Sequence, residues 1–161
     1  MDHAPGDDGE KGGGQAVGRS GGRWMREHRQ ICLLSHVEGP DLVVEPEGSR
    51  ALHEGLRAGH PVTVQPQSSA DGLSAPFAGE NCIAVCQARG VESVLVSEDE
   101  IGAGFRFLYG RAKLACEPAG AVGVAALLAG KVPLSGATAV AAVVSGGNVA
   151  AETAAAILAG R

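Results

Sequence analysis

The sequence predicts an α/β layered fold around a mostly parallel sheet, and three observations carry that prediction. From Pro40 to the C-terminus, short β-branched runs alternate with helix-like stretches. The segment ATAVAAVVSGGN at 137–148 is nearly uninterrupted apolar sequence, the pattern of a strand buried on both faces in a parallel sheet. Gly and Ala fill 25 and 27 of the 161 positions, so helices built from them can lie very close to a sheet. Aromatic residues make up only 3%, which leaves Val, Leu and Ala to fill the core.

The elements follow in chain order. Residues 1–22 hold eight glycines with mixed charge and little to bury, which predicts a flexible segment. Residues 23–39 carry Arg23, Arg26 and Arg29 before ICLL, and read as a helix or loop with Trp24, Ile31 and Leu34 on one side. Leu42 to Val44 form a short strand stopped by Pro46 and Gly48. Leu52 and Leu56, four apart, mark a short helix closed by Gly59. PVTVQP at 61–66 is strand-like, SSADGLSAPFAGEN at 68–81 is loop, and CIAVCQARG is a helix ending at Gly90. Val94 to Val96 read as a strand, after which Ser97 and Glu100 form a capping box. Ile101, Phe105 and Leu108 then recur as the core stripe of the helix that box opens. EPAGAVGVAALLAGK is a small-residue helix, and after SGGN a last Ala-rich helix occupies about 150–159.

Length suits one domain. A net charge of −5 and a pI near 5.5 argue against nucleic acid or an anionic membrane as the main partner. No apolar run reaches membrane-spanning length, and the acidic, Gly-rich N-terminus does not read as a secretory signal, so a cytoplasmic location is expected. The four cysteines, Cys32, Cys82, Cys86 and Cys116, are then expected as reduced thiols. Cys82 and Cys86 share one helix face, as half a metal site or as two small core residues. The carboxylates of SEDE suit a helix start, where the dipole favours negative charge, better than a cation. SGGN lies at a strand's carboxyl end, where open parallel sheets gather ligands.

Five segments occur in a telling order: VEPEGS at 44–49, SSADGL at 68–73, VSEDEI at 96–101, KLACEPAGAVGVAAL at 113–127 and VVSGGN at 143–148. Together they resemble the C-terminal half of the threonine/serine dehydratases, pyridoxal-phosphate enzymes of the tryptophan-synthase-β fold type (fold type II), which also include serine racemase. The resemblance covers 40–161 and implies the C-terminal part of that fold's large domain, a partial three-layer α/β sheet. Ser145 matches the serine whose hydroxyl meets the cofactor's pyridine nitrogen, a neutral partner suited to β-elimination. Glu117 matches a glutamate close to the cofactor ring. Gly72 matches a loop glycine whose backbone lies beside it, and Gly146, next to Ser145, is counted with the cofactor-binding residues. Glu45, with nearby Ser49, matches a cation site of several relatives, although Ala51 stands where some carry an aspartate. Read without the resemblance, Ser145 is a helix cap, Glu117 complements a helix dipole and Gly72 is a turn glycine.

The resemblance also implies a glycine run that binds the cofactor phosphate at a helix start. Ser20-Gly21-Gly22 has nearly the family's spacing for it, although RWMREHRQ behind it lacks the family's small apolar residues; Gly12-Gly13-Gly14 competes. The family's Schiff-base lysine motif, Ser-x-Lys-x-Arg-Gly, is absent, and Lys11, Lys113 and Lys131 match no such position. The implied family reaction converts threonine or serine to a 2-oxo acid and ammonia with pyridoxal 5'-phosphate. Without that lysine the chain is expected to be inactive alone, either as half of an enzyme completed by an N-terminal chain, as a homo-oligomer, or as a non-catalytic binding module.

Overall fold

In the computed structural model, residues 41–134 and 139–160 are described, together with the backbone of 32–36. Four strands form one sheet, β1 (Cys32–His36), β2 (Leu42–Pro46), β3 (Glu92–Val96) and β4 (Val140–Ala142), in the order β3-β2-β1-β4. β2 and β3 pair in parallel, with Val44 opposite Val94. β1 runs antiparallel to both neighbours, with Leu33 opposite Val43 and Ser35 opposite Ala141. Three strands, β2, β3 and β4, therefore share one direction, and β1 alone opposes them. The mostly parallel α/β class holds on this count.

Successive side chains of β2 point to opposite faces, and each face has its own helices. Leu42 and Val44 pack with Val96, Val122, Ala125 and Ala126, the last three from α4 (Pro118–Leu128). Val43 packs on the other side with Leu52 of α1 (Ala51–Ala58) and Cys82, Ile83 and Cys86 of α2 (Glu80–Ala88). All five β2 residues are buried, which requires cover on both faces. Outside α4 lies α3 (Glu98–Phe107), and α5 (Ala151–Leu158) packs against α3 through Ala154 and Ile157.

Local chemistry sets the helix ends. Ser97 Oγ accepts from the Glu100 amide (3.3 Å), and a Glu100 carboxylate oxygen accepts from the Ser97 amide (2.7 Å), completing the expected capping box. Behind it Ile101, Phe105 and Leu108 are buried, as their spacing requires. α1 ends at Gly59, whose φ of +77° lets its amide donate to Gly55 O (2.8 Å). α3 runs into one wide turn at Leu108–Ala112, stopped by Lys113 at φ +58°, the sole non-glycine with positive φ among the described residues.

Three expectations need correction. The helix or loop over 23–39 gives way at Cys32–His36 to β1, because as a strand its backbone pairs on both sides, with β2 and with β4; the rest of 23–39 lies outside the described residues. PVTVQP forms no strand: its backbone bonds are made outside the sheet, Val64 N to Pro76 O (2.7 Å), with Gln67 N next to it to Gly48 O (2.8 Å). The 137–148 strand is only three residues long and half-buried, with Val143 50% exposed, because among the described residues no helix covers its outer face.

α3 and α4 pack closely at Gly104. A Cβ on Gly104 would lie 2.9 Å from both Ala121 O and Ala125 N, backbone atoms that cannot swing aside. Gly104→Ala gains about 1 kcal/mol of helix propensity, yet the clash outweighs it, and overpacking of this kind costs about 1–3 kcal/mol. Urea unfolding of the variant is expected to give a net loss of stability; a gain would show that the two helices can part without penalty.

Candidate active site

Three segments meet at the N-terminus of α4. Glu117 is its N-cap residue and Pro118 its first helical residue, where a missing N–H costs nothing. The Glu117 side chain does not cap its own helix. It turns to the 145–148 loop, where Oε2 accepts from the Asn148 amide (3.0 Å), while the Glu117 amide donates to Gly146 O (3.2 Å). Gly146 has φ +73°, and a Cβ there would strike the Glu117 carboxylate. On the other side a Cβ on Gly72, in the turn Asp71–Leu73, would come within 3.1 Å of Glu117 Oε1 and 3.0 Å of the Ala119 Cβ. The half-buried carboxylate thus sits between two glycines from distant parts of the chain.

The loop itself is seated on α4 by a third glycine. A Cβ on Gly120 would overlap the Ser145 carbonyl oxygen, so only a bare backbone lets the loop lie this close. Gly72, Ser145 and Gly146 are exposed, and among the described residues the Ser145 hydroxyl makes no hydrogen bond. The result is an open wall at the carboxyl end of β4: flat main chain at two glycines, one free hydroxyl and one fixed carboxylate. The space a side chain would take at Gly72 and at Gly146 is occupied by the Glu117 carboxylate, so the two glycines admit that carboxylate, and the exposed Ser145 hydroxyl is left to offer a hydrogen bond to a ring placed outside it. Ser145 is not a helix cap, since α5 starts from Ala150.

Sequence reasoning brought out Gly72, Glu117, Ser145 and Gly146, and the fold gathers them. It passed over Gly120 and Asn148. The GAVG spacing after Pro118 was a usable signal for close backbone approach at Gly120; nothing marked Asn148, which acts through its amide rather than its side chain. Gly21, Gly22 and Lys11 lie outside the described residues. Lys113 Nζ donates to Gly110 O (2.7 Å). Lys131 Nζ donates to Leu95 O (3.0 Å) and to Glu100 (2.7 Å), joining β3 to the start of α3.

Glu45 and Ser49 are both buried and both bonded within the fold. Glu45 Oε1 accepts from the Leu52 amide (2.9 Å) and Oε2 from the His53 amide (2.7 Å), so a strand carboxylate caps α1, whose own N-cap Arg50 makes no side-chain capping bond. Ser49 Oγ donates to Leu73 O (2.8 Å), tying the 71–73 turn to the end of β2. Burial pushes the Glu45 carboxyl up to about 7, against the pull of those two amides. Cys82 and Cys86 do lie on one buried face of α2; burial and the neighbouring Cys86 push the Cys82 thiol up to about 12, and burial raises Cys86. Among the described residues no three His, Cys, Asp or Glu side chains gather as a metal would need.

With the geometry in hand, the chain can be set beside known proteins. Residues 34–146 match the profile described as pyridoxal-phosphate dependent enzyme. A phenylserine dehydratase of Ralstonia pickettii is 42% identical over 95 residues, 58% of this chain and 29% of that protein. A putative threonine dehydratase of Sinorhizobium fredii is 37% identical over 142 residues, 86% of this chain and 40% of that one. Among solved structures, maize serine racemase superposes with a TM-score of 0.64 at 30% identity, over 70% of this chain and 35% of its own. The processed form of threonine deaminase isoform 2 from Solanum lycopersicum gives 0.64 at 28% identity, over 74% and 34%. The chain spans roughly a third of the length of these relatives. No helix among the described residues is long and apolar enough to cross a membrane.

Two outcomes test this geometry. The folded Glu45 holds its proton at a pH where the unfolded chain has already lost it, so this group's contribution to stability falls as pH rises from about 4.5 to about 7. Each unit of displacement is worth about 1.4 kcal/mol. Glu45→Gln, followed by chemical denaturation across that window, should lose this downward slope even if it is less stable throughout; an unchanged slope means that Glu45 does not titrate there. Gly120→Ala should expel the 145–148 loop, seen as faster amide exchange at Gly146 to Asn148 with α4 still protected, and unchanged exchange would refute the close approach.

Proposed function

The chain belongs to the pyridoxal-phosphate dependent enzyme family, and from that premise we propose that it forms one wall of a cofactor pocket of the threonine/serine dehydratase type. The single observation that carries this reading is the convergence of Gly72, Glu117 and Gly146 beside the free hydroxyl of Ser145. Ser145 would face the pyridine nitrogen, Gly72 and Gly146 would lie against the ring, and Glu117 would hold a carboxylate at its margin. Bound pyridoxal phosphate supplies the electron sink for β-elimination of a small hydroxy amino acid to a 2-oxo acid and ammonia. This chain's share is to position the ring through bare backbone, to meet its nitrogen with an uncharged hydroxyl, and to keep a proton-carrying group at Glu117 within reach. Gly21 and Gly22 are proposed for the phosphate, on sequence spacing alone.

The chain alone is proposed to be inactive. Lys113 is folded onto Gly110 O and Lys131 onto Leu95 O and Glu100, so neither amine is offered to a ring at Ser145. A second reading, half of an enzyme completed by another chain, draws on the surface around β4. Val143 and Leu158 are 50% and 43% exposed, and α5 has no buried residue, an open apolar margin that asks for cover. A metal at Glu45 is not proposed, because both its oxygens serve α1. A cytoplasmic location remains the reading from composition.

Treatment of the purified chain with pyridoxal phosphate and borohydride, followed by peptide mapping, tests the proposal directly. Scattered, substoichiometric labelling is expected. A stoichiometric adduct at Lys113 or Lys131 would overturn the inactivity and justify assays with serine and threonine. Co-expression with a chain that carries the Ser-x-Lys-x-Arg-Gly motif should give a complex with a bound-cofactor absorbance that Ser145→Ala alters. Failure to form it would leave the binding-module reading.

A further inference from the structure

A cleft of about 420 Å³ that shares no residue with the Glu117 wall lies beside residues 62–67, with Glu47, Gly48, Arg50, Glu54, Thr63 and Gln65 among the residues that line it. Exposure alternates residue by residue from Val62 to Ser69, half-buried then exposed, which is the period of two of an extended chain. Pro66 adds to this by holding Gln65 out of helical geometry. In such a chain, alternate residues aim their N–H and C=O to the same side. The Val64 amide donates to Pro76 O (2.7 Å), whereas the Gln67 amide, of opposite parity, donates to Gly48 O (2.8 Å). Thr63 and Gln65 share the parity of Gln67 and therefore face the cleft.

That edge is only half used. At its end a Cβ on Gly48 would strike the Gln67 carbonyl, so the two segments touch there, and beyond Gly48 the chain turns into α1. Among the described residues the N–H and C=O groups of Thr63 and Gln65 make no hydrogen bond, and both residues are exposed. Four backbone groups on two residues about 7 Å apart are the complement of one further strand. The charged lining is two carboxylates against one guanidinium, and Arg50 Nε already donates to Glu54 Oε1 (2.8 Å). Glu47 is the carboxylate left over. Its side chain is 55% exposed, and Lys131 Nζ stands 3.9 Å from it while donating to Glu100 at 2.7 Å.

We propose that this cleft takes an extended peptide of another protein as an added strand, with a lysine or arginine beside Glu47. Two peptide residues, two apart, exchange N–H and C=O with Thr63 and Gln65. The residue between them turns its own amide away and sets its side chain beside half-buried Val64, so an apolar residue suits it. Pro61 has the parity of Thr63 but no N–H, which keeps the added strand short.

Nuclear magnetic resonance titration of the isotope-labelled whole chain with acetyl-Lys-Thr-Val-Thr-Lys-amide tests the proposal. Saturable shifts at the Thr63 and Gln65 amides are expected, with their hydrogen exchange slowed about tenfold or more at saturation. N-methylation of both peptide threonines should weaken binding about tenfold or more, since each loses a backbone donor, whereas N-methylation of the central valine should not. Glu47→Gln, at an exposed side chain, should weaken binding about threefold and flatten its dependence on salt. No saturable shift at Thr63 and Gln65, or equal loss from the two methylation patterns, would overturn the proposal. Unchanged affinity in Glu47→Gln would overturn the cation beside Glu47. Slow exchange at both amides without peptide would overturn the free edge: protection that grows with chain concentration would assign it to a second copy, and protection that does not would assign it to this chain's own residues.

Discussion

The face of the sheet that carries the site, the 145–148 loop and α3 all lean on α4, and they can do so because that helix carries so little side chain. Gly120 admits the Ser145 carbonyl, Ala121 and Ala125 receive the bare flank of Gly104, and Val122, Ala125 and Ala126 fill the space over Leu42 and Val44. A helix with ordinary side chains would stand further off from all three neighbours at once. Interiors pack with few voids, so one added methyl at such a place must be absorbed by backbone. The same closeness brings Glu117, at the tip of α4, within reach of Gly72 and Gly146. Core packing and site geometry are thus one constraint.

Polar groups inside the fold are used to fix ends rather than to leave charge free. Glu45 caps α1 from a neighbouring strand, Ser49 pins the 71–73 turn, and Glu98 gathers Ser68 and Ser69. The last two join segments distant in sequence, and no buried side-chain polar atom among the described residues lacks a partner. The 68–73 loop, which brings Gly72 to Glu117, is held at one end by Glu98 and at the other by Ser49. A loop needs such anchors to present backbone at a fixed place.

The sheet explains why cover is uneven. β2 is buried on both faces between α4 and the α1–α2 pair, whereas β4 at the far edge is half-exposed and only three residues long. The apolar 137–148 run finds little to bury against among the described residues. A run of Val and Ala encodes burial; whether burial occurs depends on what else is present.

The sequence alone determined what short-range chemistry controls. The Ser97–Glu100 capping box, the Ile101–Phe105–Leu108 stripe, the Gly59 stop and the strands at 42–44 and 94–96 all follow from neighbours within about one or two helical turns, where side-chain period and cap chemistry decide. The order of five motifs likewise marked Gly72, Glu117, Ser145 and Gly146. Only the tertiary structure decided how these meet. That Glu117 turns away from its own helix to the Asn148 amide, that Glu45 caps a helix it does not belong to, and that CLLSH becomes a strand while PVTVQP does not, are outcomes of long-range competition for partners. Local propensity favoured PVTVQP, with its Val62, Thr63 and Val64, yet it is CLLSH that pairs beside β2.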